Sequence, residues 1–555
     1  MKKVFAAALL VLALLLGACG APNSGQSAVQ TPGETQQSAE TDTEGTENSP
    51  HSEATALADT AEAKRAPRIV ISSAFDSRYD YDLNVSFGYG TVPLFYCGDR
   101  REIDDWEAVR DDENYPALAA ALREYNEQSR QTLQENMDQI ESAARGDYEY
   151  GNYPGAEDYR MVYRSESMAW LARADRNLVS FWVESYWSSG GAHPFTGYQG
   201  LNFDTETGKQ LSINDLLTET GVERLPELFE SALFEQYPLY REGLLVDSVS
   251  ETIRQEMAEQ ALQFTVDADG VTFLISPYEL ASYANGPAFV HLSFADAPEL
   301  FEARYASAGE NWVSAMRPQN EDSWYSELNT TVLHTQTGDR TLSVQYIPDD
   351  YETGRMCSLT VTLDGHSWEA EEFFGYSVRP YLFHTEGKDY LFLGYELPSD
   401  WDALYVLDLN GEEPVLVDSR VEGFDAQIPT DPADFLLTTR SYCMSTYGIT
   451  RSYTLDAAGK PLNTEELYTA TYAPTLTLRQ DLTVTELTSD GSESETTLSA
   501  GKKLQFLHTN NQDLVDLTDA KGKVYRVSYD HGEDYIGTVN GLPLTEVFDG
   551  TMFAG

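Results

Sequence analysis

Hydrophobic residues that recur at helical spacing predict one long helix in the first part of the chain. The helix begins after Asn114 and Pro116, and Gly146 is placed to end it. Shorter helices are predicted at 222–236 and 248–262. An apolar stripe of this kind is typical of a helix that packs on a core. The stripe consists of Leu118, Leu122, Tyr125, Leu133, Met137 and Ile140.

Alternating hydrophobic and polar residues predict strands around these helices. Two such runs flank Asp175 to Asn177 and predict a β-hairpin. Strands mixed with helices in this way predict an α+β domain over residues 67–305. The other strands predicted in this domain are 69–72, 83–87, 271–276 and 288–294.

From about residue 320 the helical periods disappear. Turn signals such as Asp364-Gly365 and Asn410-Gly411 separate short runs of strand-forming residues. We therefore predict an all-β C-terminal half, built as a sandwich, a propeller-like array or an SH3-like barrel. Residues 320–472 are predicted to form one β-rich domain and residues 473–555 a small β-barrel.

The first 66 residues predict a membrane anchor and a spacer. Residues 1–19 combine two lysines with a short apolar run, and Leu16 to Cys19 resemble the lipobox of bacterial lipoproteins, in which the cysteine is lipidated. The alternative is an ordinary secretory signal that contains a cysteine by chance. Residues 20–66 lack aromatic side chains and predict a disordered stalk, about 35–40 Å in average reach. We expect a lipid-anchored protein on the outer face of a cell membrane.

The net charge of the chain limits the classes of molecule that it is expected to bind. Against 36 basic side chains there are 91 acidic ones, which gives a formal net charge of −55. Nothing offsets the repulsion of phosphates, so nucleic-acid binding is disfavoured. The acidity is explained either by solubility or by attraction of a cationic partner.

The stretch from Tyr186 to Leu217 concentrates residues with special backbone or side-chain properties. An aromatic strand end runs into a double glycine, and a proline after His193 favours an extended backbone there. We interpret this corner as a candidate binding surface, with the aromatic residues available to stack on sugars. Its candidate residues are Tyr186, Trp187, Gly190, Gly191, His193 and Pro194.

The same stretch, together with Ser276 to Gly286, resembles a domain-of-unknown-function family. The motifs are Gly-Gly-Ala-His-Pro at 190–194 and Ser-Pro-Tyr-Glu-Leu-Ala-Ser-Tyr-Ala-Asn-Gly at 276–286. In that family the domain forms the ectodomain of a lysozyme-sensing anti-sigma factor and the N-terminal region of some peptidoglycan deacetylases. The resemblance implies a role in the cell envelope. It implies no catalysis here, because the metal-binding Asp and paired histidines of the deacetylases have no counterpart.

Catalytic and metal-binding motifs are absent from the sequence. The eight histidines stand singly, without a second ligand at metal-binding spacing, so we expect neither metal nor cofactor. For His193 we consider four roles: bonds to the backbone, partner contact, metal binding and pairing with Ser188 or Ser189. Asp267-Ala-Asp269-Gly270 begins like a calcium loop, but a β-turn fits it better because further ligands are missing.

Three cysteines remain beside Cys19. A disulfide between Cys357 and Cys443 and free buried thiols are both consistent with the sequence. We expect a non-catalytic envelope protein that binds a lysozyme-like protein or peptidoglycan. The alternative is an enzyme that modifies cell-wall glycans through a pair of carboxylates that sequence spacing does not reveal.

Overall fold

A computed structural model describes the chain from Arg65 onwards, and the described residues belong to one compact unit. The predicted leader, Cys19, most of the stalk and Gly191 lie outside this part of the chain. Described are residues 65–99, 109–151, 163–190, 193–317, 327–335, 338–348, 357–371, 373–397, 402–424, 427–471, 473–532 and 536–553.

A seven-stranded sheet forms the centre of the first half. Its strand order is β19-β1-β2-β4-β5-β6, with β3 attached to β2. Neighbouring strands are antiparallel except for β2 and β4, and the predicted hairpin is the β4–β5 pair. The strands are β1 (Ile69–Asp80), β2 (Val85–Asp99), β3 (Arg110–Asp111), β4 (Tyr163–Ala174), β5 (Leu178–Ser189), β6 (Phe195–Asp204) and β19 (Gln427–Ile428).

The predicted long helix, α1 (Pro116–Glu149), packs on one face of this sheet. It starts at Pro116 as expected but continues past Gly146 for three residues. Its predicted stripe is buried, with Tyr125 partly exposed. Close approach requires glycine in β2, since a Cβ on Gly88 or Gly90 would lie 2.6 Å or 2.7 Å from side-chain atoms of the helix.

A layer of helices and a small sheet covers the other face of the central sheet. Its core is separate from that of α1, and β7 lies so close to β6 that a Cβ on Gly200 would meet the carbonyl of Phe264. Three strands form an antiparallel sheet in the order β7-β8-β9. The elements are α2 (Ile213–Leu216), α3 (Glu219–Gln236), α4 (Val249–Glu259), β7 (Phe264–Val266), β8 (Gly270–Ile275) and β9 (Ala288–Ser293), with 3-10 turns at Pro238–Glu242, Tyr283–Asn285 and Pro298–Leu300.

The second half contains three sheets. Five strands pair in the order β10-β15-β16-β17-β18, and four pair in the order β11-β12-β13-β14. They are β10 (Asn311–Ala315), β11 (Glu327–Thr335), β12 (Gly338–Pro348), β13 (Cys357–Leu363), β14 (His366–Glu369), β15 (Tyr376–Thr385), β16 (Lys388–Glu396), β17 (Asp402–Asp408) and β18 (Val415–Arg420).

The last sheet has thirteen strands and one short helix beside it. It comprises β20 (Phe435–Ser441), β21 (Tyr447–Leu455), β22 (Pro461–Asn463), β23 (Tyr468–Thr471), β24 (Leu476–Leu478), β25 (Leu482–Leu487), β26 (Glu493–Leu498), β27 (Lys503–Thr509), β28 (Leu514–Thr518), β29 (Val524–Asp530), β30 (Thr538–Val539), β31 (Leu542–Pro543) and β32 (Phe548–Asp549). The helix is α5 (Leu544–Val547).

The described residues are therefore mostly strand, arranged in several sheets, and none of these sheets closes into a barrel. This corrects the SH3-like barrel predicted for 473–555. Its strands are present, but β27 pairs with β28 along one edge and with β23 and β24 along the other. The sheet is thereby extended to β20–β23, across the predicted boundary at residue 472.

One hydrophobic core joins the two halves. Phe95 and Phe181 of the first sheet belong to the same buried cluster as Phe383, Phe392 and Phe435. The described cysteines Cys97, Cys357 and Cys443 are buried free thiols, so the bridge between the last two is not formed. Within the described residues, no helix has the length and apolar character needed to span a membrane.

Arg173 lies at the junction of the central sheet and the layer that covers it. Its side chain is fully buried and pairs with Asp175 at 2.6 Å. The guanidinium also donates to the backbone carbonyls of Asp267 at 3.3 Å, Tyr305 at 2.8 Å and Ser307 at 2.5 Å. A buried charge is tolerated because all of these acceptors converge on it.

Replacing this arginine should destabilise the fold strongly. Arg173→Met leaves the Asp175 carboxylate and the carbonyls buried without their donor, so we expect the free energy of unfolding to fall by about 3–5 kcal/mol. Denaturant titration followed by circular dichroism measures this. Arg176→Met at the neighbouring exposed position is the control and should stay within about 0.5 kcal/mol of wild type. Equal stability of the two variants would contradict the role of Arg173.

Candidate functional site

The described residues of the predicted glycine corner, Gly190, His193 and Pro194, lie in the connection between β5 and β6. Gly190 adopts a φ of +84°, and a Cβ at this position would lie 2.9 Å from both Asp147 Oδ2 and Tyr163 Oη. Both the backbone conformation and the space therefore require glycine. The chain then passes through His193 and Pro194 into β6.

His193 lies on the surface and stacks on two tyrosines. Its ring centroid is 4.5 Å from that of Tyr283 and 6.3 Å from that of Tyr278, with interplanar angles of 25° and 24°. The two tyrosine rings are 5.6 Å apart. His193 Nδ1 lies 3.0 Å from the Pro194 carbonyl oxygen, and Nε2 lies 3.4 Å from the Tyr278 hydroxyl. We call His193, Tyr278 and Tyr283 the aromatic stack.

The two tyrosines are held by the turn that follows β8. Tyr278 has a φ of +73°, a left-handed conformation that is rare for aromatic residues and is stabilised here by its surroundings. Its N–H donates to the Ala281 carbonyl, and the Ser276 N–H donates to the Glu279 carboxylate at 2.9 Å. These hydrogen bonds hold the backbone of the turn and thereby fix the direction in which the tyrosine side chains point.

Two strongly exposed leucines lie in a segment that neighbours the tyrosine turn. Leu239 and Leu245 expose 74% and 59% of their surface, compared with 36% and 40% for Tyr278 and Tyr283. Both leucines lie in a segment bonded to the tyrosine turn: Asn285 donates to the Leu239 carbonyl, and the Leu245 N–H donates to the Leu280 carbonyl. Exposed apolar side chains on neighbouring segments are candidates for an interaction surface.

The predicted site residues do not all meet at this surface. Trp187 packs into the core beneath α1, whereas Tyr186 lies under the guanidinium of Arg164, 4.1 Å from its ring centre. Successive residues of a strand point to opposite faces, so these two side chains cannot share one surface. Of the predicted residues, Gly190, His193 and Pro194 belong to the corner that carries the stack.

The two tyrosines of the stack were not among the site residues predicted from the sequence. Tyr278 and Tyr283 lie in the second motif of the family resemblance, more than eighty residues after His193. No pattern within either segment predicts that the two meet. The resemblance alone could have suggested it, since both motifs carry it.

Tryptophans outside the glycine corner could also stack on sugars, but those that the structure describes serve mainly the interior. Trp182 exposes 8% of its surface and is covered by Arg317, whose guanidinium lies 3.9 Å from the ring centre. Trp170 and Trp368 are partly buried and pack against core clusters. Trp324 and Trp401 lie outside the described residues.

The predicted β-turn at Asp267 to Gly270 connects β7 and β8. Its two carboxylates bracket His291, at 3.7 Å from Asp267 and 3.5 Å from Asp269. Burial alone would lower the pKa of His291, but bonds to both carboxylates outweigh it and raise the pKa to about 10. The cluster is therefore an ion pair, and no group of acidic, His and Cys side chains in the described residues could hold a metal.

Glu279, next to Tyr278 in the sequence, and Glu256 on α4 both have raised pKa values. Burial raises the pKa of Glu279, the neighbour of Tyr278, to about 8, and the charge of Glu256 on α4 adds to the shift. Burial likewise raises the pKa of Glu256 to about 7, with a further contribution from Glu259. Two carboxyl groups in mutual range that remain partly protonated at neutral pH are uncommon outside functional sites.

Neutralising Glu279 should stabilise the protein in alkaline solution. The pKa of Glu279 is higher in the folded than in the unfolded state, so its contribution to stability is lost as pH rises from about 4.5 to about 8. At pH 8 we expect the free energy of unfolding of Glu279→Gln to exceed that of wild type by on the order of 1–2 kcal/mol, and the variant to unfold at a higher temperature. Near pH 4.5 the two proteins should differ little. Thermal melts across this range measure the difference, with Glu235→Gln on the exposed face of α3 as control. A gain that does not depend on pH would contradict the assignment.

Comparison with known proteins gives distant structural neighbours, and two of them are DUF3298-family proteins. No family model matches the chain, and no curated protein matches it either. A DUF3298-family member from Bacteroides fragilis shares 16% identity, with a TM-score of 0.32 over 44% of this chain and 96% of its own. A DUF3298-family protein from Pseudomonas aeruginosa shares 15% identity, with a TM-score of 0.28 over 43% and 96%. TM-scores this low do not identify a common fold, so the family resemblance continues to depend on the sequence motifs.

Proposed function

We propose that this protein is a lipid-anchored, non-catalytic binding protein on the outer face of a bacterial cell membrane, and that its ligand is a cationic, lysozyme-like protein. The observation that carries the proposal is the aromatic stack. Two motifs that are distant in sequence meet there and leave three aromatic rings exposed. Leu239 and Leu245 are exposed in a separate segment that is hydrogen-bonded to the second motif. A surface of this kind buries apolar area when a partner binds to it.

Charge supports a protein ligand of this class. The chain carries a formal charge of −55, and the segment with Leu239 and Leu245 exposes two carboxylates, Glu242 and Asp247, beside one cation, Arg241. An acidic chain with exposed aromatic rings suits a small basic protein, because complementary fields accelerate encounter while desolvated aromatic side chains provide most of the affinity. Peptidoglycan fragments are the second ligand to test, since exposed tyrosines can also stack on sugar rings.

Binding should depend on the aromatic stack and survive added salt. We expect His193→Ala and Tyr283→Ala to weaken binding of a basic lysozyme at least tenfold, or by about 1.4 kcal/mol, because apolar contacts at an interface centre are weakly screened. Calorimetric titration of residues 20–555 at about 50 and about 500 mM NaCl measures this. Tyr442→Ala removes an exposed tyrosine elsewhere and is the control.

Two results would contradict the proposal. Binding that disappears at high salt in wild type and variants alike would mean that only the acidic charge attracts the ligand. Equal binding by wild type and the stack variants would place the contact elsewhere. If lysozyme does not bind at all, the same variants titrated with soluble peptidoglycan fragments decide between the two ligands.

A glycan-modifying enzyme is the second candidate, and one observation favours it. Glu279 adjoins the aromatic stack and has a pKa near that of a general acid at neutral pH, with Glu256 close enough to influence it. Product analysis after incubation with peptidoglycan tests this candidate. Turnover that is lost in Glu279→Gln would replace the binding proposal by the enzymatic one.

A further inference from the structure

We propose that strand β1 is a dimerisation edge, through which two copies of this chain pair antiparallel with Ser77 of one copy opposite Ser77 of the other. The inference is independent of the proposed function. It rests on an unpaired strand edge, on the side chains along that edge, and on the order of those side chains in the sequence.

The outer edge of β1 is largely unpaired within the described part of the chain. On that side β1 pairs with β19 at Ile69 and Val70, and its other ten residues have no strand beside them there. A long free edge presents backbone donors and acceptors that can continue the sheet in another chain. Proteins usually protect such an edge with lysine or proline, and neither occurs between residues 69 and 80.

Side chains along the edge alternate between an open face and a face turned towards α1. Phe75 exposes 64% and Tyr79 exposes 42% of its surface, with Ser77 exposed between them. Asp76 and Arg78 are partly buried on the other face. Two exposed aromatic residues on a free strand edge are an apolar surface that pairing with a further strand would cover.

The sequence of this edge is complementary to itself. Residues 74–80 read AFDSRYD, so a two-fold axis at Ser77 places Phe75 opposite Tyr79 and Asp76 opposite Arg78 of the second copy. Each contact then occurs twice, as the symmetry of an isologous dimer requires. Aromatic and opposite-charge pairs across antiparallel strands each stabilise by roughly 0.2–1 kcal/mol.

Neighbouring registers are disfavoured by the same side chains. A shift by two residues in one direction sets Arg78 against Arg78 and Asp76 against Asp80, and in the other direction it sets Asp76 against Asp76. Like charges directly opposite each other are destabilising. The register shift between β1 and β2 leaves out Phe87 of β2, so β1 itself is continuous and the register of a pair across its outer edge depends on these side chains.

Local charge also favours a second arginine at this position. Arg78 already lies 3.2 Å from Asp76, 2.9 Å from Asp138 and 3.7 Å from Glu141, and of these three carboxylates Glu141 also pairs with Arg145 at 2.8 Å. Arg78 of a second copy would add positive charge to the acidic group. The net charge of each chain opposes association, and because salt screens this long-range repulsion, the dimer should become tighter as salt is added.

A cysteine at the two-fold axis tests the register directly. In residues 20–555, Ser77→Cys should form an intermolecular disulfide under mild oxidation at least tenfold faster than Ser73→Cys. Ser73 is equally exposed but would face Tyr81 of the second copy. The three native cysteines in this range are buried and leave the new thiol as the reactive one. Equal rates for the two variants, or no crosslink in either, would overturn the proposal.

A charge exchange tests the pairing without a covalent bond. Asp76→Arg and Arg78→Asp should each raise the dimer dissociation constant at least tenfold in sedimentation equilibrium, because each sets like charges opposite each other. An equal mixture of the two should form a heterodimer, since every opposed pair then has opposite signs. Thermal melts confirm that both variants are folded. A wild-type monomer at all concentrations and salts, or a mixture that stays monomeric, would overturn the proposal.

Discussion

The first half of the structure depends on the ion pair and hydrogen bonds of the buried Arg173 guanidinium. Its acceptors come from the β4–β5 turn, the β7–β8 turn and the segment after the last 3-10 turn, so the charge is satisfied only when all three are packed together. This fixes the β7–β9 sheet against the central sheet. The turn after β8, with Tyr278 and Tyr283, is thereby positioned to meet His193.

Glycines set the spacing of the layers around the central sheet, because they have no side chain between the layers. Gly88 and Gly90 let α1 approach one face, and Gly200 lets β7 approach the other. Each is a position where a methyl group would collide with the neighbouring layer, and interiors packed at crystal density cannot absorb such a collision without shifting. Together with Gly190 in the β5–β6 turn, these residues explain why the first half combines long, regular strands with several glycines.

Acidity has different consequences at long and short range. The net charge acts over the whole surface, while ion pairs such as the one around His291 hold turns in place. Both the aromatic stack and the β1 edge place exposed aromatic rings among carboxylates. Aromatic contacts provide affinity after water is excluded, and the surrounding charge decides which molecules come close enough for that to happen.

The sequence by itself determined the elements whose signals are local. The stripe of α1, the hairpin at Asp175 and the glycine turn at Gly190 were all predicted, because helical periodicity and left-handed backbone depend on nearby residues. The open sheet of the C-terminal half and the meeting of His193 with Tyr278 and Tyr283 were decided by tertiary structure. Strand pairing joins residues that are far apart in sequence. The edge of a strand such as β27 offers the same backbone groups to every other strand, so the packing of side chains determines which strands pair.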